Sequence, residues 1–209
     1  MITLFIDTST DTLTVSIIND DVILDAITLP SSEHSKYAMS AIESIFDKNN
    51  IKRNSVNKIM VVNGPGSFTG IRIGVTIAKI YAWACNINVV PISTLKAYAI
   101  SNMSYKYYIS SIDARRNYVY AAIYDSNYNN ILDESYIDKD DLINKIIKLE
   151  DYLIISNTPI SEFNTVKPKL DIKRIYDYYK NDIGINCHAL KPVYLKEVEA
   201  VEKMGGYND

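Results

Sequence analysis

The chain begins twice. Ile2 to Ile6 and Leu13 to Ile18 read as two strands parted by the polar turn Asp7 to Asp11, and the same order of apolar run, polar turn and apolar run returns at Tyr107 to Asp113 and Tyr118 to Tyr124. Ile6-Asp7 lines up with Ile112-Asp113. A third strand, Val22 to Leu29, follows the turn Asn19 to Asp21, and its counterpart is Asn130 to Tyr136. In the first half, Ser35 to Lys48 has helical periodicity, Lys58 to Asn63 reads as a buried strand and Thr69 to Cys85 as a long helix, giving the order βββαβα. A short strand at Val89 to Pro91 and a helix opened by Ser93 come next, because a serine hydroxyl suits an N-cap. In the second half, Asp138 and Asp141 make an acidic start for a helix over Leu142 to Leu149. The repeat is short, and chance is the alternative reading of it. Taken as a duplication, it predicts an α/β chain of two βββαβα units divided near Met103 to Lys106, residues 1–104 and a smaller 105–209. Beyond Asn157 the segments are short and broken by Pro159, Pro168 and Pro192, so no element is assigned there and the second unit is expected to be incomplete.

Composition narrows the function. At 209 residues and 47% hydrophobic, roughly 70% of the unfolded surface can be buried without metal or disulfide staples. Cys85 and Cys187 are expected as free thiols rather than a bridge, and with only His34 and His188 beside them no metal site is expected. No apolar run reaches the roughly 20 residues of a membrane span, and the opening residues lack the pattern of a secretory signal, so a cytoplasmic protein without membrane contact is expected. Acids outnumber bases 25 to 22 and the bases are scattered, which argues against a chain that grips nucleic acid by itself. The 17 tyrosines could serve as base-stacking platforms, but places in the core and at strand edges explain them more simply.

The most specific stretch is Val61-Val62-Asn63-Gly64-Pro65-Gly66-Ser67-Phe68-Thr69-Gly70-Ile71-Arg72-Ile73-Gly74, where a strand turns through Gly-Pro-Gly into a helix. Such a junction is either a tight structural turn or a set of helix N-terminal amides aimed at an anion. It is not a P-loop, which needs a following Gly-Lys-Ser/Thr. As a string it closely resembles the signature of the TsaB (YeaZ) family. The likeness extends to Ile6-Asp7-Thr8-Ser9-Thr10, to Asp113-Ala114-Arg115-Arg116 with Val119-Tyr120, and to Pro192-Val193-Tyr194-Leu195-Lys196. Lys36, Asn117-Tyr118 and Lys196 depart from the family's usual residues. The resemblance implies a duplicated actin-like fold (ASKHA, ribonuclease H-like) with a degenerate second unit. It also implies the role of a non-catalytic subunit that binds and activates TsaD, the catalytic paralogue that transfers a threonylcarbamoyl group to the adenosine beside the tRNA anticodon. A TsaE-like ATPase would join the assembly, TsaC would supply the adenylate, and tRNA would be met only through the complex.

Glycine placement agrees with a chain that does no chemistry. An actin-like ATPase uses glycines where backbone approaches phosphate or adenine. Here Gly64, Gly66, Gly70 and Gly74 cluster, and none follows until Gly184, Gly205 and Gly206. The second-half turn Asp113-Ala114-Arg115-Arg116 has none, so no bound cofactor is expected. Asp7 to Thr10 could hold Mg²⁺ or phosphate, although a polar turn uses the same residues for local hydrogen bonds. Neither His34 nor His188 has a mate four residues away, and Ser67 has no evident histidine partner, which removes metal or serine peptidase chemistry. The alternative function is an active actin-like small-molecule kinase or nucleotidase using Asp7 and the Gly64 to Gly66 turn.

The helices over Ser35 to Lys48 and Thr69 to Cys85 are apolar around more of their girth than one buried face needs. On the second, Ile73, Ile77, Ile80 and Ala84 form a bulky strip and Gly70, Gly74, Ala78 and Ala82 a small one, with Lys79, Arg72, Trp83 and Thr76 in a narrow sector. Either the helices bury each other, or both join an intermolecular bundle in which the small strip allows backbones to approach. The second option, which the resemblance favours, names Tyr37, Ala41, Ile45, Gly70, Gly74, Ala78, Tyr81 and Ala82 as partner interface, used for a homodimer when the chain is alone.

Overall fold

The computed structural model describes residues 1–30, 33–100, 103–160 and 163–196; Gly205 and Gly206 lie outside them. Strands β1 (Ile2–Asp7), β2 (Thr12–Asn19) and β3 (Val22–Pro30) form an antiparallel meander, followed by helix α1 (His34–Lys48). Strand β4 (Val56–Gly64), helix α2 (Phe68–Cys85), strand β5 (Val89–Ser93) and helix α3 (Thr94–Ala99) complete the first half. The sheet order is β3-β2-β1-β4-β5, with β4 parallel to both β1 and β5. Because β1, β2 and β4 are covered on both faces, nearly every position along β1 and β2 and most of β4 is buried, with the small polar residues Thr3, Thr14 and Ser16 interleaved among the apolar ones. The edge strand β3 alternates instead, one side chain half-buried and the next exposed. Ser93 caps α3 as expected, its hydroxyl accepting from the Leu95 and Lys96 N–H groups at 3.2 and 3.3 Å.

The second half repeats the plan. Strands β6 (Tyr107–Asp113), β7 (Tyr118–Asp125) and β8 (Asn130–Asp138) form the meander, and helix α4 (Lys139–Ile146) follows, with Asp138 as N-cap accepting from the Asp140 N–H at 2.8 Å. Strands β9 (Tyr152–Ser156) and β10 (Thr165–Val166) extend the sheet to β10-β9-β6-β7-β8, the same order as the first. Asp7 and Asp113 each end the first strand of their sheet. This is the duplicated actin-like α/β arrangement. It is degenerate in the second half, where β10 has two residues and no helix joins it to β9 among the described residues.

Each sheet is covered on both faces. On the first, Leu4, Ile6, Val15, Ile17 and Val61 meet α1 and α2, while Phe5, Ile18, Met60 and Val62 meet α3 and a helix not assigned from sequence, α5 (Ile172–Tyr179). Ile175 and Tyr176 of α5 are buried there, and the fully buried Phe5 alone is worth roughly 1.5–3 kcal/mol of burial. Lys58 on β4 holds the end of α5 by donating to Lys180 O and, at 2.9 Å, to Asp182 O. The second sheet buries one face under α4 and the other against Leu95, Tyr98 and Ala99 of α3, so α3 lies between the sheets. The chain then returns to the first half: Cys187 and Leu190 enter its core, and Val193 N donates to Asn63 O at 2.8 Å.

Candidate functional site

The Gly-Pro-Gly junction is built as a tight turn against the β1–β2 loop. Ser67 N donates to Ser9 O at 2.7 Å, the Ser67 hydroxyl caps α2 by accepting from Gly70 N at 3.2 Å, and Thr8 Oγ1 donates to Gly70 O at 2.7 Å. At Gly70 an added Cβ would sit 2.1 Å from Thr8 O, and at Gly74 2.5 Å from Thr8 Oγ1, so neither position has room for a side chain. The adjoining cleft, about 440 Å³, is lined in part by Ser9, His34, Thr69, Asp11 and Asp113. Its two carboxylates oppose a phosphate. Burial pushes the Asp7 carboxyl above the usual range, against the Ser9 N–H that donates to its Oδ1 at 2.7 Å and against the nearby His34. His34 Nε2 donates to Thr10 O at 2.6 Å. Asp7 therefore makes the local bond that a polar turn would, while the Thr8 hydroxyl is spent on α2.

The matching turn of the second half is built differently. Arg115, Arg116 and Asn117 all have positive φ, +66°, +52° and +66°, a conformation costly for residues with a Cβ. Asp113, at the end of β6, lies 3.4 Å from Lys139 Nζ. Arginines and an ion pair occupy the place where a phosphate-wrapping turn would need glycine. Among the described residues, no group of three or more His, Cys, Asp or Glu side chains could hold a metal, and no helix is long and apolar enough to cross a membrane.

The helix pair corrects the sequence reading of its faces. Gly70, Gly74, Ala78 and Ala82, expected at a partner surface, are buried against the chain's own sheet, where Thr8 and Val61 meet Gly74. Ala41 and Ile45 are likewise buried in that core. Tyr81 is half-buried: its hydroxyl donates to Arg53 O, its ring stacks on Phe46 with centroids 6.1 Å apart, and burial pushes its pKa up to about 12. Of the eight residues, only Tyr37 is exposed. The excess of apolar girth is real, but the strips are exchanged. Small residues bring α2 close to β1 and β4, and the bulky strip turns outward.

That outward strip starts at Met39 on α1 and Phe68 on α2, runs past half-buried Ile73 and Ile77, and ends at Ile80 and Trp83, which are 61% and 68% exposed. A groove of about 450 Å³ lies between the two helices, with Arg72 and Thr76 on its wall. Arg72 stands over the Phe68 ring, 3.7 Å from its centroid, and its Nε–H donates to the Tyr194 hydroxyl at 2.7 Å. Trp83, grouped from sequence with the polar sector, was the available signal, since an exposed tryptophan beside isoleucines is poorly explained by solvent.

Residues 28–179 match the family model described as TsaD, tRNA N6-adenosine threonylcarbamoyltransferase. Among curated proteins, the tRNA threonylcarbamoyladenosine biosynthesis protein TsaB of Bacillus subtilis is 40% identical over 139 residues, 66% of this chain and 60% of that one. TsaB of Escherichia coli is 31% identical over 131 residues, 61% of this chain and 57% of that one. The chain thus spans less than two thirds of the length of these relatives. Among solved structures, YeaZ from Pseudomonas aeruginosa superposes with a TM-score of 0.74 at 18% identity, covering 92% of this chain and 100% of that one, which demonstrates a shared fold.

Proposed function

The chain belongs to the TsaD family of threonylcarbamoyltransferase domains and, within it, to the TsaB (YeaZ) group, and from that premise we propose that it is a non-catalytic subunit of a tRNA-modifying assembly. It binds and activates a TsaD-like catalytic paralogue for threonylcarbamoyl transfer to the adenosine beside the anticodon, with a TsaE-like ATPase in the same assembly, in the cytoplasm. Residues 1–104 carry the partner face and residues 105–209 the second sheet. The observation that carries this reading is the outward strip of α1 and α2, Met39, Phe68, Ile73, Ile77, Ile80 and Trp83, an apolar face that a monomer has no use for. A second copy would cover the same strip when the paralogue is absent. The glycine-free β6–β7 turn and the carboxylate-lined cleft support a role without catalysis.

The test is direct capture of the TsaD-like paralogue by the purified chain, with threonylcarbamoyladenosine measured in bulk tRNA after deletion of the gene. Capture and a loss of the modified nucleoside are expected. Unchanged nucleoside levels, or turnover of ATP by the chain alone that is lost on Asp7→Ala, would overturn the proposal.

A further inference from the structure

The chain is acidic overall, net −3, but the stretch from β10 through α5 reverses the sign. Between Lys167 and Lys180, five basic residues stand against Asp171 and Asp177, a local net charge of +3. Three of the bases are engaged: Lys173 Nζ lies 2.6 Å from Asp177, Lys180 Nζ 2.8 Å from Asp21, and Arg174 Nε 3.7 Å from Asp171, the N-cap of α5. Lys167 and Lys169 are exposed and have no ion-pair partner among the described residues. They stand at a cleft of about 550 Å³ whose lining includes Leu153, Ile155 and Leu170. One turn into α5, Lys173 and Arg174 border a second recess, about 580 Å³, with Tyr128 and Tyr178. Tyr178 is 42% exposed and held edge-to-face against Tyr128 at 5.7 Å and 84°, so it is fixed in orientation and still open to solvent.

We propose that this strip is an RNA contact, in which Lys167 and Lys169 meet backbone phosphates and Tyr178 offers its ring to an unpaired base. Free exposed amines release counterions from a phosphate chain at little desolvation cost, and a tyrosine beside cations is a stacking platform for a single-stranded base. The strip lies on the opposite side of the first sheet from α1 and α2, so a protein seated on that helix pair leaves it open. The inference rests on the proposed function and deepens it: the RNA is the tRNA of the assembly, touched by this chain as well as by its paralogue.

The experiment measures tRNA affinity of the chain assembled with its TsaD-like paralogue, by fluorescence anisotropy across a salt series. Lys167→Glu combined with Lys169→Glu is expected to lower the slope of log affinity against log salt by about 1.5, at roughly 0.7–0.9 per phosphate contact. Tyr178→Ala is expected to lower affinity about fivefold or more with the slope unchanged. A Lys167→Arg, Lys169→Arg protein should keep the wild-type slope. An assembly that binds tRNA with the same affinity and slope in all variants overturns the inference and leaves the proposed function standing. Loss of protein capture by the double glutamate variant, with the tRNA slope unchanged, marks the strip as a protein contact and overturns it as well. A wild-type chain that captures no paralogue removes the function and takes this inference with it.

Discussion

The two halves share a strand order and differ in what lies on and between the strands. In the first, an 18-residue helix is pulled onto the sheet by glycines and alanines, and its outer side is left apolar. In the second, the eight-residue α4 covers one face, and no helix joins β9 to β10 among the described residues. The loops differ in the same sense, since the β1–β2 turn is packed against α2 while the β6–β7 turn projects two arginines from left-handed backbone. One topology can thus present an open apolar helix face or stand as a reduced support, depending on helices and turns added to an unchanged sheet.

The largest expected effect breaks the close approach that distinguishes the first half. Gly74→Leu should destabilise the fold by about 3 kcal/mol, the upper end of overpacking costs, because even its Cβ would stand 2.5 Å from Thr8 Oγ1. At this chain length that lowers the melting temperature by about 6–12 °C. A folded variant with an unchanged melting curve and weakened capture of the paralogue would instead put the small strip at an interface.

Next in size is the outer strip. Ile80→Glu is expected to weaken capture of the paralogue by about 2 kcal/mol, roughly 30-fold, with the melting temperature unchanged. Ile147→Glu, at an equally exposed isoleucine just after α4, should leave capture intact. Equal losses from both would mean that the two halves do not divide the work as proposed.

A smaller effect is expected at the β6–β7 turn. Arg115→Gly should raise stability by about 0.5–1 kcal/mol, because glycine adopts φ of +66° without the Cβ penalty. Chemical denaturation that shows a loss of that size would mean that the arginine side chain contributes more than its backbone costs.

The slightest effect concerns Asp7. Burial raises its folded-state pKa above the ordinary 3.8, so the folded chain holds the proton more tightly than the unfolded one. The stability this contributes is fully present below 3.8 and is lost as pH rises through the folded-state value. Asp7→Asn, which keeps an oxygen for the Ser9 N–H, should therefore gain on the wild type as pH rises through that window. A variant that loses ground over the same range would reverse the sign.

The meanders, the three first-half helices and the duplication were legible because apolar runs, polar turns and capping residues repeat at matching places. Helix α5 was not, although Ile172, Ile175, Tyr176 and Tyr179 have helical spacing. Eight residues between Pro168 and Gly184 carry too little periodicity to stand out from a loop. Strand β9 is five residues long and equally ambiguous. The face of α2 was misread for a different reason: a wheel with two apolar strips cannot say which is inward. The decision belongs to Thr8, some sixty residues earlier, whose hydroxyl and carbonyl leave room only for glycine.

Helix α5 and the stretch around Cys187 and Leu190 lend core residues to a sheet made from the first hundred residues. During synthesis, a nascent chain of about that length has Phe5, Met60 and Val62 without the Ile175 and Tyr176 that cover them, so this half cannot close before the rest has left the ribosome. Contacts this distant in sequence are slow to form and leave apolar surface open meanwhile. Protease resistance of ribosome-bound chains should accordingly appear only once residues beyond about 190 have emerged.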